Sequence, residues 1–455
     1  ASTYLSRTPS ANNNSVGKWT YSAWIKRNSI HVETNLISFY TDTNNRSALR
    51  FDSDDKLRFY EVASGSTTVT KLTNRLFRDT GAWYHVMLAV DKTLGSPLTE
   101  IYINGVQETS FATDDGYTQN QTGVFNNAIP LTINTEAASV NNPRDISMAH
   151  INFTDGNQYA PTVFGEFDST SGIWVPKTAP SVTYGTNGFF LKFENSAAMG
   201  TDSSGNGNNF TVTGTLTQTI DTPSNNFATL SPAPSIEYNS SAFYEYGGTN
   251  IRSSTSNWVA GVSQMYLDQG KWYFEMQPGS TTDAEFGIAG EDKIMNGGTS
   301  GGVNNRLFYY EDTTGYAYSY NGPNGQIYFS TPSDGTQTAT YGNTFSSSDT
   351  IGCFADLDNN KLYFSKNGTL QNSGTGYDIQ DGIYYAFGTA VYQSDTSLNF
   401  GNGTFKGVKL TGTTYSDANG EGIFKYSPNQ GGAANFDSAA KNFYALCTKN
   451  IKEFG

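Results

Sequence analysis

This 455-residue chain has only two cysteines, Cys353 and Cys447, which are far apart and form no CxxC pair. That excludes a disulfide framework and a thiolate metal site, and it points to synthesis in a reducing compartment. Histidines number three, His31, His85 and His150, none beside another, so no imidazole ligand cluster is written into the sequence. Charged residues make up 15 % of the chain, well under the ~25 % of an average soluble protein. There is no basic run, and the formal net charge is −14. Both argue against a nucleic-acid surface, because phosphate contacts need clustered Lys and Arg. No apolar run reaches the ~18 residues of a membrane span. The opening Ala1 to Arg7 lacks a basic n-region and an apolar h-region, so the expectation is a chain without a secretion signal that has lost its initiator methionine. Nowhere does a helical stripe persist for three turns.

What is present is aromatic, 14 % of the chain, along with 47 glycines and many turn residues. Aromatic content at that level supplies core material and separates the chain from disordered sequences. The richest stretch runs from Asp349 to Gly368. Ile351, Cys353, Ala355 and Leu357 alternate along one strand face, Asp358-Asn-Asn360 supplies a reversal, and a second strand ends at Asn367-Gly368. The first half uses the same grammar. Tyr84, Val86, Leu88 and Val90 alternate up to Asp91, and Ile101-Tyr-Ile-Asn-Gly105 closes a hairpin. Trp19, Tyr21, Ala23 and Ile25 share one face of a further strand, with Trp24 on the other. These patterns predict an all-β chain of two tandem antiparallel β-sandwiches. The expected divisions are residues 1–220, a Pro/Ser-rich linker over 221–235, a second sandwich over 236–403, and an irregular C-terminal extension or docking tail over 404–455. Trp19, Trp83, Trp272 and Phe364 are expected in the inter-sheet cores.

Gly270-Lys-Trp-Tyr-Phe-Glu275, Phe286-Gly-Ile-Ala289, Gly315 to Gly322, the Asp349–Gly368 hairpin, Tyr384-Tyr-Ala-Phe-Gly388 and Leu398-Asn-Phe-Gly401 follow one another as in a SPRY domain, which this half resembles. Thr20 to Lys26, Trp83 to Asp91 and Ile101 to Gly105 resemble a laminin-G-like, concanavalin-A-like jelly roll. Leu191-Lys-Phe-Glu-Asn195 followed by Asp202 to Asn209 looks like the segment that usually opens such a domain, yet here it comes last. The domain therefore resembles a circular permutant, which sandwiches tolerate when their ends lie close together. Joined by the Gly165–Pro176 connector, the pair is similar to structural proteins of tailed bacteriophages of marine type. That resemblance implies a chain made in the host cytoplasm and released by lysis as part of a virion.

The loop Asp202-Ser-Ser-Gly-Asn-Gly-Asn208 places oxygen-bearing side chains at alternate positions. An EF-hand needs Glu at its twelfth position, here Thr213, so only a partial calcium site with Asp202, Asn206 and Asn208 remains, against a plain Asx turn. Calcium is the one cofactor the sequence suggests. Gly298-Thr-Ser-Gly-Gly302 fits GxSxG, but no strand-to-helix context surrounds it. Glu166 and Glu194 have no acidic partner at the spacing a glycosidase strand requires. Tyr316, Tyr318 and Tyr320 alternate as one buried strand face rather than a sugar platform. Long polar loops are the better contact candidates, with Asp114, Asp115 and Tyr117 in one and Asn304 and Asn305 in another.

The expected function is non-enzymatic. The chain reads as a virion surface protein, a tail-fibre or spike component that contacts host glycan or receptor, assembled as a homo-oligomer and bound to other virion proteins. The alternative is a purely architectural role, as a capsid decoration or fibre adaptor with no ligand of its own. Neither nucleic acid nor membrane insertion is expected.

Overall fold

The computed structural model describes residues 3–13, 17–136, 143–169, 172–232, 242–254, 256, 258–279, 283–296, 308, 315–429 and 442–455. It divides into two compact units, residues 1–218 and 219–455, both built from antiparallel sheets.

In the first unit an eight-stranded sheet and a six-stranded sheet enclose the core. The strands Lys18–Arg27 and Trp83–Asp91 lie side by side, Trp19 opposite Val90 and Ile25 opposite Tyr84. Because side chains alternate across a strand, this register sends Trp19, Tyr21, Ala23, Ile25, Val86, Leu88 and Val90 into one core. Trp19 stacks on Phe125 at 4.1 Å and meets Phe59 edge-on at 5.8 Å. Asn104 and Gly105 both take positive φ, as the tight Asn-Gly reversal demands. The strand Tyr4–Arg7 pairs with Thr211–Thr213, Leu5 opposite Val212, so the two ends of the unit are hydrogen-bonded neighbours. That is the geometry a permuted sandwich needs.

The second unit has a seven-stranded and a nine-stranded sheet around Trp272, Phe274, Phe286, Tyr320 and Phe364. Lys271–Pro278 pairs with Ile351–Asp356, which in turn pairs with Lys361–Lys366. Tyr318 and Tyr320 are buried as the alternation predicts, and Phe274 stacks on Phe400 at 5.4 Å.

Three expectations change. Trp83 is buried, but against Trp24 and Trp174 on the outer face of the six-stranded sheet, because it sits out of phase with Tyr84 and Val86. The presumed linker is partly core: Phe227 and Leu230 are buried, and Leu230–Pro232 pairs with Trp258–Ser263. The C-terminal stretch is not an irregular extension. Tyr444–Ala445 runs parallel to Trp272–Tyr273, followed by a helix over Thr448–Phe454. Phe424, Phe443 and Cys447 pack with Tyr273, Phe354 and Tyr363 on the outside of the nine-stranded sheet. A buried carboxylate fastens this layer. Glu275 Oε1 accepts from the Tyr273 hydroxyl and the Tyr426 N–H, and its Oε2 from Asn399 Nδ2 and the Lys425 N–H, all at 2.7–3.0 Å.

Candidate functional site

On the outer face of the first unit's six-stranded sheet, Ser22, Trp24, Trp83 and His85 project away from the core. The Gly165–Phe167 and Trp174–Pro176 strands form a hairpin that covers them. The Trp174 indole lies so close to Gly105 and Gly165 that a Cβ on either would come within 2.8 Å of its ring carbons. Gly105 is therefore set by the indole as well as by its turn, and Gly165, in a strand, by the indole. Trp174 Nε1 donates to His85 Nδ1 at 3.0 Å, and His85 Nε2 lies 2.8 Å from Ser22 Oγ.

This Ser–His pair invites a catalytic reading, and its hydrogen bonds argue against one. An indole N–H only donates, so Nδ1 must carry the lone pair and Nε2 the proton. His85 then donates to Ser22 instead of drawing its proton away. Burial also drives His85 down to about 3, so the ring stays neutral, and neither residue is open to solvent. The pair positions the hairpin.

What the hairpin presents is apolar. Phe167 is 61 % exposed and Ile173 52 %, and Val106, next to Gly105, is 61 % exposed. Phe167 meets Trp174 edge-on at 5.0 Å, which fixes its ring from below and leaves its outer side open. Grouped exposed apolar side chains of this size mark contact surfaces. Glu166, beside them, pairs with Lys177 at 3.7 Å. The sequence had offered Gly165–Pro176 only as a connector. Its one signal was Phe167 and Trp174 flanking a Gly-containing turn at hairpin spacing.

The sequence-derived candidates divide. Asp114 and Asp115 lie at the exposed end of the strand Phe111–Asp115, with Asp114 bonded to Lys71. Tyr117 is not a contact residue: it is buried in the core 6.3 Å from Phe59, with the Lys92 ammonium 5.1 Å from its ring. Asn304, Asn305 and the Gly298–Gly302 motif lie outside the described residues.

Asp202, Asn206 and Asn208 do come together, as a capped turn. Asp202 Oδ1 accepts the Phe190 and Ser204 N–H groups and Oδ2 accepts the Asn208 N–H and the Ser204 hydroxyl. Asn206 and Asn208 donate their amide N–H groups to the carbonyls of Gly185, Thr186 and Gly188. Arg7 donates to Asn208 Oδ1 at 2.5 Å and to the Asn187 carbonyl at 3.1 Å. Among the described residues no three His, Cys, Asp or Glu side chains group as metal ligands. A shallow groove of about 450 Å³ runs beside this turn, lined by Met199, Phe210, Val212 and Leu216.

Residues 2–131 match the concanavalin A-like lectin/glucanases superfamily, and residues 271–403 match the SPRY domain. The chain joins a concanavalin A-like domain to a SPRY domain. Among solved structures, the SPRY domain of human HERC1 is similar at 13 % identity, covering 37 % of this chain and 96 % of that one with a TM-score of 0.28. A human SPRY domain is similar at 16 % identity, with coverages of 37 % and 98 % and a TM-score of 0.24. Stonustoxin is similar at 13 % identity, with coverages of 38 % and 27 % and a TM-score of 0.28. No curated protein matches this chain. Both domains are of a kind suited to binding or adhesion. The SPRY match ends at Phe400-Gly-Asn-Gly403, so the sheet-covering layer over 404–429 and 442–455 lies beyond it.

Proposed function

We propose that this chain is a non-enzymatic surface component of a tailed-bacteriophage particle, and that it attaches to glycan or receptor on the host. The observation that carries the binding reading is the Trp174-anchored hairpin, which holds Phe167 and Ile173 in solvent on a rigid base. An exposed aromatic face stacks on the apolar side of a sugar ring, and its orientation here is set before any ligand arrives. The concanavalin A-like and SPRY domains support the same class of function. The phage assignment rests on the resemblance of the domain pair and on the cysteine-poor composition. Several copies on one particle would add avidity to individually weak contacts.

The test is binding of the purified chain to immobilised bacterial surface glycans. Phe167→Ser with Ile173→Ser should lower binding at least about tenfold, the loss of about 1.4 kcal/mol, with an unchanged melting profile. Undiminished binding by the double variant would remove the hairpin from the reading. Release of oligosaccharide from the glycan would overturn its non-enzymatic part.

A further inference from the structure

An unpaired sheet edge is a row of backbone donors and acceptors open to another strand, and proteins blunt such edges with charge, proline, bulges or short length. Nearly every edge described here is blunted. In the first unit, Phe111–Asp115 carries Asp114, Asp115 and a register irregularity, while Thr211–Thr213, Phe189–Leu191 and Val106–Gln107 have three, three and two residues. In the second, Leu230–Pro232 ends in proline, Ala242–Glu245 carries Glu245, and Thr369–Leu370 has two residues. Gly335–Thr340, of sequence Gly-Thr-Gln-Thr-Ala-Thr, is different. It has six residues, no charge and no proline, and pairs with Gln326–Thr331 without a register break. It is the last strand of the seven-stranded sheet, and no described strand pairs with its outer edge. Gln337, Thr338 and Thr340 are exposed.

We infer that this edge is a strand-pairing surface and that its occupant is the same strand of a second copy. A chain of net charge −14 repels its copies across most of its surface, and an uncharged strand is where two can meet without like charges opposed. Two identical strands meeting antiparallel about a two-fold axis form a closed, isologous contact that leaves no further edge of this kind open. For side chains to stay on matching faces, the register must be centred on a residue. Centring on Thr338 sets it opposite the partner's Thr338 and sets Gln337 opposite the partner's Ala339. One strand of six residues spans about 20 Å, so the contact is small and the dimer concentration-dependent. This inference is independent of the host-attachment reading: either can fail alone.

Sedimentation velocity of the full chain over about a hundredfold concentration range should show a reversible monomer–dimer equilibrium. Thr338→Lys and Thr338→Glu should each weaken it by at least about tenfold without moving the melting temperature, since Thr338 is exposed. Mixing the two variants should restore a heterodimer. A wild-type chain that stays monomeric throughout, including one that instead captures a strand of another protein, overturns the inference. So does a Thr338→Lys chain that dimerises like wild type, or a mixture that fails to pair.

Discussion

Trp174 Nε1 donates to His85 Nδ1 at 3.0 Å across 89 positions of sequence, and that one bond fastens a surface hairpin to a buried sheet face. The Trp174 ring covers His85, whose neutrality comes from burial, and its hairpin holds Phe167 and Ile173 in solvent.

Trp174→Ala should therefore do more than leave a hole. It removes the ring that Gly105 and Gly165 accommodate and strands His85 Nδ1 without its donor. The expected cost is about 3 kcal/mol of first-unit stability, read by chemical denaturation. Phe167 should become mobile, and glycan binding should fall with it. His85→Ala should loosen the same hairpin by about 1–3 kcal/mol, and a denaturation midpoint equal to wild type for both variants would show the bond to be incidental.

Trp272 is fully buried between the sheets of the second unit, with its Nε1 donating to the Gln269 carbonyl at 2.7 Å. Trp272→Ala should cost about 3–5 kcal/mol. The first unit should melt as before, because Trp272 contributes nothing to its core. Differential scanning calorimetry separates the two outcomes.

Glu275 gives the second unit a pH dependence. Burial raises its carboxyl from the ordinary 4.5 to about 7, against the pull of the four donors that favour its charged form. The folded state therefore holds a proton that the unfolded chain gives up earlier. The stabilisation is full below about pH 4.5 and is lost as pH rises through about 7. Its size is on the order of 3 kcal/mol. Wild-type stability should decline over that window relative to Glu275→Gln, which cannot ionise. Parallel curves for the two proteins from pH 4.5 to 7.5 would place the proton elsewhere.

Asp202 should behave as a turn cap. Asp202→Ala removes the shared acceptor of three backbone N–H groups and the Ser204 hydroxyl, for about 3 kcal/mol in the first unit. Chelator and added calcium should both leave the wild-type melting temperature unchanged. A rise with calcium that Asp202→Ala abolishes would show a calcium site at this turn.

Much of the fold was legible because strand alternation is local. The phases of Trp19 to Ile25, Tyr84 to Val90 and Ile351 to Leu357 named the buried faces correctly, and the two Asn-Gly pairs named their hairpins. Trp83 follows the same rule, out of phase with Tyr84 and Val86, and is buried all the same by Trp24 and Trp174. Alternation says that a residue faces away from its neighbours, not that a second layer waits on the other side. Tyr117 was misread for a related reason: a polar, turn-rich stretch can still turn one aromatic inward, and Glu61 draws the following segment down by accepting the N–H groups of Val124 and Phe125.

From the sequence alone came the all-β class, the two domains and the inward faces of their strands, since each follows from a period of two within a few residues. The tertiary structure decided what covers the outward faces. Trp174 closes over His85, and the C-terminal layer closes over Tyr273 and Phe354, because burial there needs partners brought from remote parts of the chain. It likewise decided which edge has no partner among the described strands, since an unpaired strand is defined by the neighbour it lacks.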